Sequence, residues 1–104
     1  MKFLVLTKSK MPFPPEMALG LLDAMDGWTK KYTANGKLEQ VWGFAGAKGG
    51  GGILKVDSLE EVDAIMAEFP FGQFSDIEVN GLVDIDTTLK NIKQAIQAMS
   101  PPGR

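Results

Sequence analysis

The chain has 104 residues, enough for one domain with a single core, and its 11 basic and 13 acidic residues are scattered without blocks. This charge pattern favours neither nucleic acid nor a membrane as a partner. The absence of cysteine and histidine excludes disulfides, thiol nucleophiles, histidine-based triads and the soft metal ligands. No apolar run is long enough to span a bilayer, so a cytoplasmic protein is expected. Nor does the sequence imply a metal or another cofactor.

The first elements are a strand and a long helix. Residues 2–8 are strand formers that are apolar on both faces, which predicts a central strand. Three prolines follow, and Pro15 is expected near the first position of a helix that Asn35-Gly36 ends. The helix has one apolar face, formed by Met17, Leu21, Met25, Trp28 and Tyr32.

The stretch 36–56 is the feature around which the other elements are arranged. Two apolar runs flank a loop that holds the glycines at 46 and 49–52, which predicts a β-hairpin. On a regular second strand, Glu39 and Trp42 point to opposite faces. Both residues can line one pocket only if a bulge intervenes, for which Gly43 is a candidate position.

The remaining elements are a helix, an edge strand and a last helix. Ser58 and Glu61 have the spacing of a capping box that opens the second helix, and Pro70 ends that helix. Residues 76–83 alternate apolar with polar side chains and predict a fourth strand that is half-exposed or at an edge. A last helix begins near Asp84 and is closed by Pro101-Pro102-Gly103. Its apolar stripe consists of Leu89, Ile92, Ile96 and Met99.

The order β-α-β-β-α-β followed by a helix predicts an α+β domain of the ferredoxin-like, split βαβ type over residues 1–100, with a tail at 101–104. Both crossing helices then cover the same face of the sheet. The first strand is apolar on its other face as well, so that face also needs cover. The expected cover is the same surface of a second copy, which gives a homodimer or a multiple of dimers.

The hairpin and its surroundings resemble a known family. The pattern Gly36-Lys-Leu, Val41-Trp42, Gly46, Ile53-Leu-Lys-Val-Asp-Ser58, Glu61, Pro70-Phe71 and Asp76-Ile-Glu-Val-Asn-Gly-Leu82 is similar to the muconolactone Δ-isomerase family of dimeric α/β-barrel proteins. It looks most like a branch marked by Leu-Glu-x-x-aromatic-x-Phe-Ala-Gly, whose members mostly lack an assigned reaction. The resemblance implies dimers, and often decamers.

The second strand differs from that of family members that isomerise muconolactone. Those proteins carry Arg-(His or Tyr)-Leu-Trp-Arg, whereas this chain has Glu39-Gln-Val-Trp-Gly43. Without the arginines the pocket lacks the bidentate fork that binds a carboxylate. Muconolactone is therefore not the expected substrate.

Glu39 is the candidate catalytic residue. A carboxylate among apolar neighbours is desolvated, which raises its pKa towards the range of a general acid or base beside a carbonyl. The alternative is a surface carboxylate paired with a lysine such as Lys37 or Lys55. The candidate substrate-binding residues, which could equally be ordinary core, are Trp28, Tyr32, Gln40, Trp42, Phe44, Phe71 and Phe74.

Two functions are compatible with these residues. The first is a cofactor-independent isomerase or cyclase that acts on an apolar, carbonyl-bearing small molecule by proton transfer. The alternative is a non-catalytic dimeric module that binds an apolar small ligand or a protein partner. The position of Glu39 discriminates between them: a closed apolar cavity favours the enzyme, and a solvent-exposed lysine pair favours the binding module.

Overall fold

The computed structural model describes residues 1–99, which form a four-stranded antiparallel sheet and three α-helices. The strand order β2-β3-β1-β4 confirms the predicted α+β, ferredoxin-like arrangement, with the first strand in the centre and the fourth at an edge. The predicted closing segment at 101–103 and the tail lie outside the described residues. The elements are β1 (Lys2–Ser9), α1 (Ala18–Ala34), β2 (Leu38–Gly43), β3 (Gly49–Lys55), α2 (Leu59–Ala67), a 3-10 turn (Gly72–Phe74), β4 (Ser75–Leu82) and α3 (Ile85–Met99).

The core lies between one face of the sheet and the helices α1 and α2. Phe3 and Val5 of β1 and Leu54 of β3 share this face, which is called the helix face below. Each such side chain contributes about 1.5–3 kcal/mol on burial. The helices bury Trp28, Tyr32, Val62 and Ile65 against it.

Helix α1 begins later than the prolines suggest. Pro14 and Pro15 form a turn in which their carbonyls accept the N–H groups of Met17 and Ala18, so the helix starts at Ala18. It ends as predicted, because Gly36 adopts a positive φ of 80° directly after the C-cap Asn35.

Helix α2 opens with the predicted capping interactions. The Glu61 N–H donates to the Ser58 Oγ at 3.2 Å. The Glu61 carboxylate reaches back to the N–H of Asp57, one residue before the cap, at 3.1 Å. The same carboxylate binds the Lys37 ammonium, which ties α2 to the segment before β2.

The glycine-rich segment is mostly strand, contrary to the sequence prediction. Gly49 to Gly52 form the first half of β3 and pair with β1, so the loop of the hairpin is only residues 44–48. Positive φ angles at Gly46 and Ala47 turn this loop. The prediction was wrong because glycine is a weak strand former alone but is tolerated between two paired neighbours.

The bulge in β2 lies at Glu39 and not at Gly43. Leu38 pairs with Leu54 and Gln40 pairs with Ile53, so Glu39 is the extra residue. The bulge reverses the parity of the following residues. Val41 and Gly43 therefore share the helix face with Leu38, whereas a regular strand would have placed them opposite it.

The second face of the sheet, called the open face below, carries an apolar centre. Leu4 and Leu6 of β1, Ile53 of β3 and Trp42 of β2 alternate with the helix-face residues and share it. The Trp42 ring lies over Gly51, where an added Cβ would come within 2.7 Å of the indole. No helix among the described residues packs on this face.

Helix α3 extends away from the rest of the domain. None of its residues is buried, and the chain has extents of 71 × 29 × 23 Å. Its Cα radius of gyration is 18.6 Å, whereas a compact chain of this length has about 13 Å. The predicted apolar stripe of α3 is present but faces solvent.

Candidate small-molecule site

A cavity of about 470 Å³ lies on the helix face beside the hairpin, and is called the hairpin pocket below. Its floor is the sheet where Gly43, Gly50 and Gly52 lack side chains. An added Cβ has room at Gly43, where its nearest neighbour would be 3.9 Å away, whereas at Gly50 it would collide with the Trp42 carbonyl oxygen and at Gly52 it would lie 3.0 Å from the Gln40 carbonyl oxygen. The pocket therefore exists because the hairpin strands are rich in glycine.

Aromatic and aliphatic side chains form the walls. Trp28 is fixed by a hydrogen bond from its Nε1 to the Ile65 carbonyl at 3.2 Å, and its ring packs against Phe69 with centroids 5.2 Å apart. The wall continues with Phe71 and Phe13, and the ring centroids of these two residues are 4.8 Å apart. Such interlocked rings give a pre-formed wall. The aliphatic lining is Val5, Leu22, Met25, Leu38, Val41, Leu54 and Met66.

Apart from the two tryptophan indoles, the polar side chains of the pocket are three hydroxyls, and none of the described residues that line it is charged. Ser9 of β1 and Ser75 of β4 pair directly across the two strands. The Thr7 Oγ1 accepts the Gly50 N–H at 3.2 Å and donates to the Gly50 carbonyl at 3.3 Å. The site thus offers apolar contact and a short row of hydroxyls to a ligand.

Three of the seven predicted substrate-binding residues belong to the lining of the hairpin pocket: Trp28, Phe71 and Trp42. The ring of Trp42 nevertheless lies on the open face, over Gly51. Tyr32 and Phe74 are buried outside it, and Gln40 and Phe44 are exposed. The bulge explains Gln40, which it turns to the open face, and Phe44 lies in the hairpin loop beyond the end of β2. Substrate binding by any of the seven remains a prediction.

Glu39 lies outside the pocket. Its Oε1 accepts a hydrogen bond from the Lys2 Nζ at 3.0 Å, and the two side chains are 38% and 50% exposed. This is the lysine-paired surface position that was weighed as the alternative, although the partner is Lys2 and not Lys37 or Lys55. Glu39 follows Leu38 of the helix face, and its carboxylate lies beside Lys2 of the open face.

Tyr32 and Glu68 form a titratable pair beside the aromatic wall, where the Tyr32 and Trp28 ring centroids are 5.4 Å apart. The Tyr32 hydroxyl donates to the Glu68 carboxylate, which raises the pKa of Tyr32 and lowers that of Glu68. Lys31 pairs with the same carboxylate at 3.3 Å, and its pKa is raised. Tyr32 is therefore held as a neutral donor within a structural network.

Several pocket residues were not found from the sequence. Phe13 lies between prolines that were interpreted only as a helix entry, and Gly43, Gly50 and Gly52 were interpreted only as backbone features. The alternation of Val5, Thr7 and Ser9 on one face of β1 was a usable signal for the hydroxyls.

The first 86 residues of the chain match the family model described as muconolactone delta-isomerase. The match covers most of the chain, from β1 through β4. This chain belongs to the muconolactone delta-isomerase family. The resemblance that the sequence motifs indicated is thereby confirmed, and the matched region ends at the second residue of α3.

Two solved structures share the fold of this muconolactone delta-isomerase family member. A crystal structure of muconolactone isomerase at 3.3 Å resolution superposes with a TM-score of 0.73 and 26% identity, covering 81% of this chain and 90% of that one. A 5-chloro-2-hydroxyhydroquinone dehydrochlorinase (TftG) from Burkholderia phenoliruptrix AC1100, in complex with 2,5-dihydroxybenzoquinone, has a TM-score of 0.66 and 18% identity, covering 80% and 94%. No curated protein matches the sequence.

Within residues 1–99 of this family member, no group of three or more carboxylates is placed to hold a metal ion. None of the helices described there is long and apolar enough to cross a membrane.

Proposed function

We propose that this member of the muconolactone delta-isomerase family binds an uncharged, apolar, carbonyl-bearing small molecule in the hairpin pocket. The observation that carries the proposal is the composition of the pocket: a glycine floor and an aromatic wall, with no charged side chain among the described residues. Transfer of an apolar ring into such a site is favoured by about 25 cal/mol for each Å² buried.

The carbonyl preference follows from the hydroxyl row. Ser9, Thr7 and Ser75 supply the hydroxyl donors of the pocket. The Thr7 hydroxyl donates to the Gly50 carbonyl at 3.3 Å and the Ser9 hydroxyl to the Ala47 carbonyl at 3.5 Å, so a ligand oxygen would replace one of these acceptors. A carboxylate would find no lysine or arginine among the described residues that line the pocket, and would lose its hydration without a counter-charge. A neutral ketone, quinone or lactone needs only one donor per oxygen. The site therefore discriminates against anionic molecules.

A matched pair of ligands tests the proposal. The dehydrochlorinase that shares this fold was solved with 2,5-dihydroxybenzoquinone, and 2,5-dimethoxy-1,4-benzoquinone keeps that ring and its carbonyls without an ionisable group. We expect calorimetric titration to give saturable binding of this quinone. The carboxylate 2,5-dimethoxybenzoate should bind at least about tenfold more weakly, equivalent to about 1.4 kcal/mol.

The variant Gly43→Val tests whether the ligand binds in the hairpin pocket. A Cβ at Gly43 would have its nearest neighbour, the Gly49 carbonyl oxygen, at 3.9 Å, so the side chain fits but occupies the floor. The control is Gly81→Val on β4, where a Cβ would meet Phe3 at 3.6 Å, away from the pocket. Quinone binding should be lost in Gly43→Val and kept in Gly81→Val. Equal binding by both variants would contradict the proposed site.

The second candidate function is a cofactor-independent isomerase or cyclase that uses proton transfer. Membership of an isomerase family favours it. Glu39 is the proton carrier in this version, and it can reach a substrate only from the open face, beside Lys2. Such a reaction would therefore need a ligand bound at the open face, where a second copy is also expected.

Deuterium exchange separates catalysis from binding. In D₂O, an enzyme that removes a proton beside a carbonyl labels its ligand with deuterium, whereas a binding module does not. Exchange that is abolished in Glu39→Gln and kept in Glu60→Gln would establish the catalytic version. The ligand for this test is a ketone with hydrogen on the saturated carbon next to the carbonyl, because a benzoquinone has no such hydrogen to exchange. A ketone that binds without exchange would establish the binding version.

The homodimer also belongs to the proposal. The open face presents an apolar centre of Leu4, Leu6, Ile53 and Trp42 that no described helix covers. Lys2, Lys8, Asp76 and Glu78 surround that centre with both signs of charge. A second copy related by a two-fold axis is self-complementary to such a surface.

A further inference from the structure

Helix α3 carries an apolar stripe with a strict heptad spacing. Its apolar residues recur at intervals of four, three, four and three, which is the a/d pattern of a coiled-coil seam. Each of the five is more than half exposed: Ile85, Leu89, Ile92, Ile96 and Met99. None of the five lines the hairpin pocket, and all but Ile85 lie beyond residue 86, where the family match ends.

The polar residues of α3 are arranged around the stripe in the same register. Lys90, Asn91 and Gln94 occupy outer positions of the heptad. Asp86 and Lys93 occupy the two e positions, which flank the seam. Neither makes an ion pair within the described part of the chain, and both side chains are exposed.

We propose that α3 pairs with α3 of a second copy as a short antiparallel coiled coil. In the antiparallel register that places Leu89 against Ile92 of the second copy, Ile85 meets Ile96, and the two-fold axis repeats both contacts. In an antiparallel pair, e positions face e positions. Asp86 then lies beside Lys93 of the second copy, and this ion pair also occurs twice.

The charges select this direction over the parallel one. A parallel pair sets g against e, which would place Thr88 beside Lys93 and give no ion pair. The antiparallel register places Thr88 beside Ala95 of the second copy. Asp86 and Lys93, the two charged residues that flank the seam, then pair with each other. The seam has only about two heptads, so the association should depend on protein concentration.

Charge exchange tests the pairing. The Leu6→Glu background blocks the open face, so that the result does not depend on the sheet dimer proposed above. Sedimentation over a concentration series should show a monomer–dimer equilibrium of the 11.3 kDa chain. Asp86→Lys alone and Lys93→Asp alone should each weaken it by about tenfold, because two attractive pairs become two repulsive ones.

Two combinations should restore the association. The double variant Asp86→Lys/Lys93→Asp re-forms both pairs, and a mixture of the two single variants should form heterodimers. Lys90→Asp is the matched control, since it makes the same charge change on the outer face of α3 and should leave association unchanged. Singles that associate like the parent, or a double variant that is not restored, would overturn the pairing.

Crosslinking tests the direction of the helices. The chain has no cysteine, so introduced cysteines are the sole thiols. A short dithiol-reactive crosslinker should join Thr88→Cys chains to Ala95→Cys chains, and should join neither variant to itself. The competing arrangement is α3 seated in the groove between α2 and β4, which Leu59, Ile77 and Val79 line. Association that is lost in Val79→Asp, with no crosslink between the two cysteine variants, would overturn the proposal.

Discussion

At the scale of single residues, the Lys37–Glu61 ion pair gives the fold a definite pH dependence. Lys37 and the Asp57 N–H both favour the charged form of Glu61, so the pKa of this carboxyl lies below its ordinary value. A carboxylate with a lowered pKa in the folded chain stabilises it above the pKa of the unfolded chain. That stability is lost as the pH falls through the folded pKa.

Glu61→Gln should therefore lower the free energy of unfolding at pH 7. The difference from the unsubstituted protein should shrink as the pH falls from about 5 to about 3, where Glu61 itself becomes protonated. Urea denaturation at several pH values measures this difference. Glu60→Gln is the control, because Glu60 forms no ion pair with any described residue. An unchanged difference at pH 3 would show that the ion pair is not its source.

The burial of a residue was predictable from the sequence where its side chain has one available environment. Trp28 lies on the apolar face of a long helix, and its burial followed from that spacing. The role of Gly43, Gly50 and Gly52 could not be predicted, because the pocket floor results from absent side chains. Absence leaves no periodic signal, and the same residues also suit a turn.

At the scale of elements, the N-cap of α2 is a local feature that the sequence predicted correctly. The Ser58 Oγ satisfies the Glu61 N–H, which has no partner within the helix. Ser58→Ala should lower the free energy of unfolding by about 1 kcal/mol, measured by urea denaturation. Ser58→Asp keeps an acceptor at this position and should retain most of the stability. Equal losses in both variants would show that the cap is not responsible.

The β2 bulge is the element-level feature that the sequence left undecided. One extra residue at Glu39 exchanges the faces of every later residue in the strand, which brings Val41 and Gly43 to the pocket and Gln40 to the open face. Local propensities do not fix the position of a bulge, because Leu38 and Val41 are both good strand residues. Pairing with β3 decides it, through the contact of Leu38 with Leu54.

At the scale of the whole molecule, the open face predicts association through the sheet. Leu6→Glu places a charge in the apolar centre of that face, next to Trp42 and Gly51 in the pairing. We expect light scattering to show a smaller assembly for Leu6→Glu than for the unsubstituted chain. Leu19→Glu is the control, since Leu19 is 78% exposed on α1. Assemblies of equal mass for Leu6→Glu and Leu19→Glu would show that the interface is not on the open face.

The family and the fold were predictable from the sequence because the motifs run from the hairpin through β4, whereas the outward position of α3 was not. Its stripe was compatible with packing on its own sheet or on another surface, and only the exposed side chains of the structure distinguish the two. The cytoplasmic location stays a prediction.

The most direct test of the central claim follows the indole N–H of Trp28 by NMR while the dimethoxybenzoquinone is added. The chain has two tryptophans, and Trp42→Phe assigns the Trp28 resonance. Because Trp28 forms the pocket wall and its N–H bonds the Ile65 carbonyl, we predict a saturable shift of that resonance, and none in Gly43→Val. Quinone binding that leaves the Trp28 resonance in place would contradict the account.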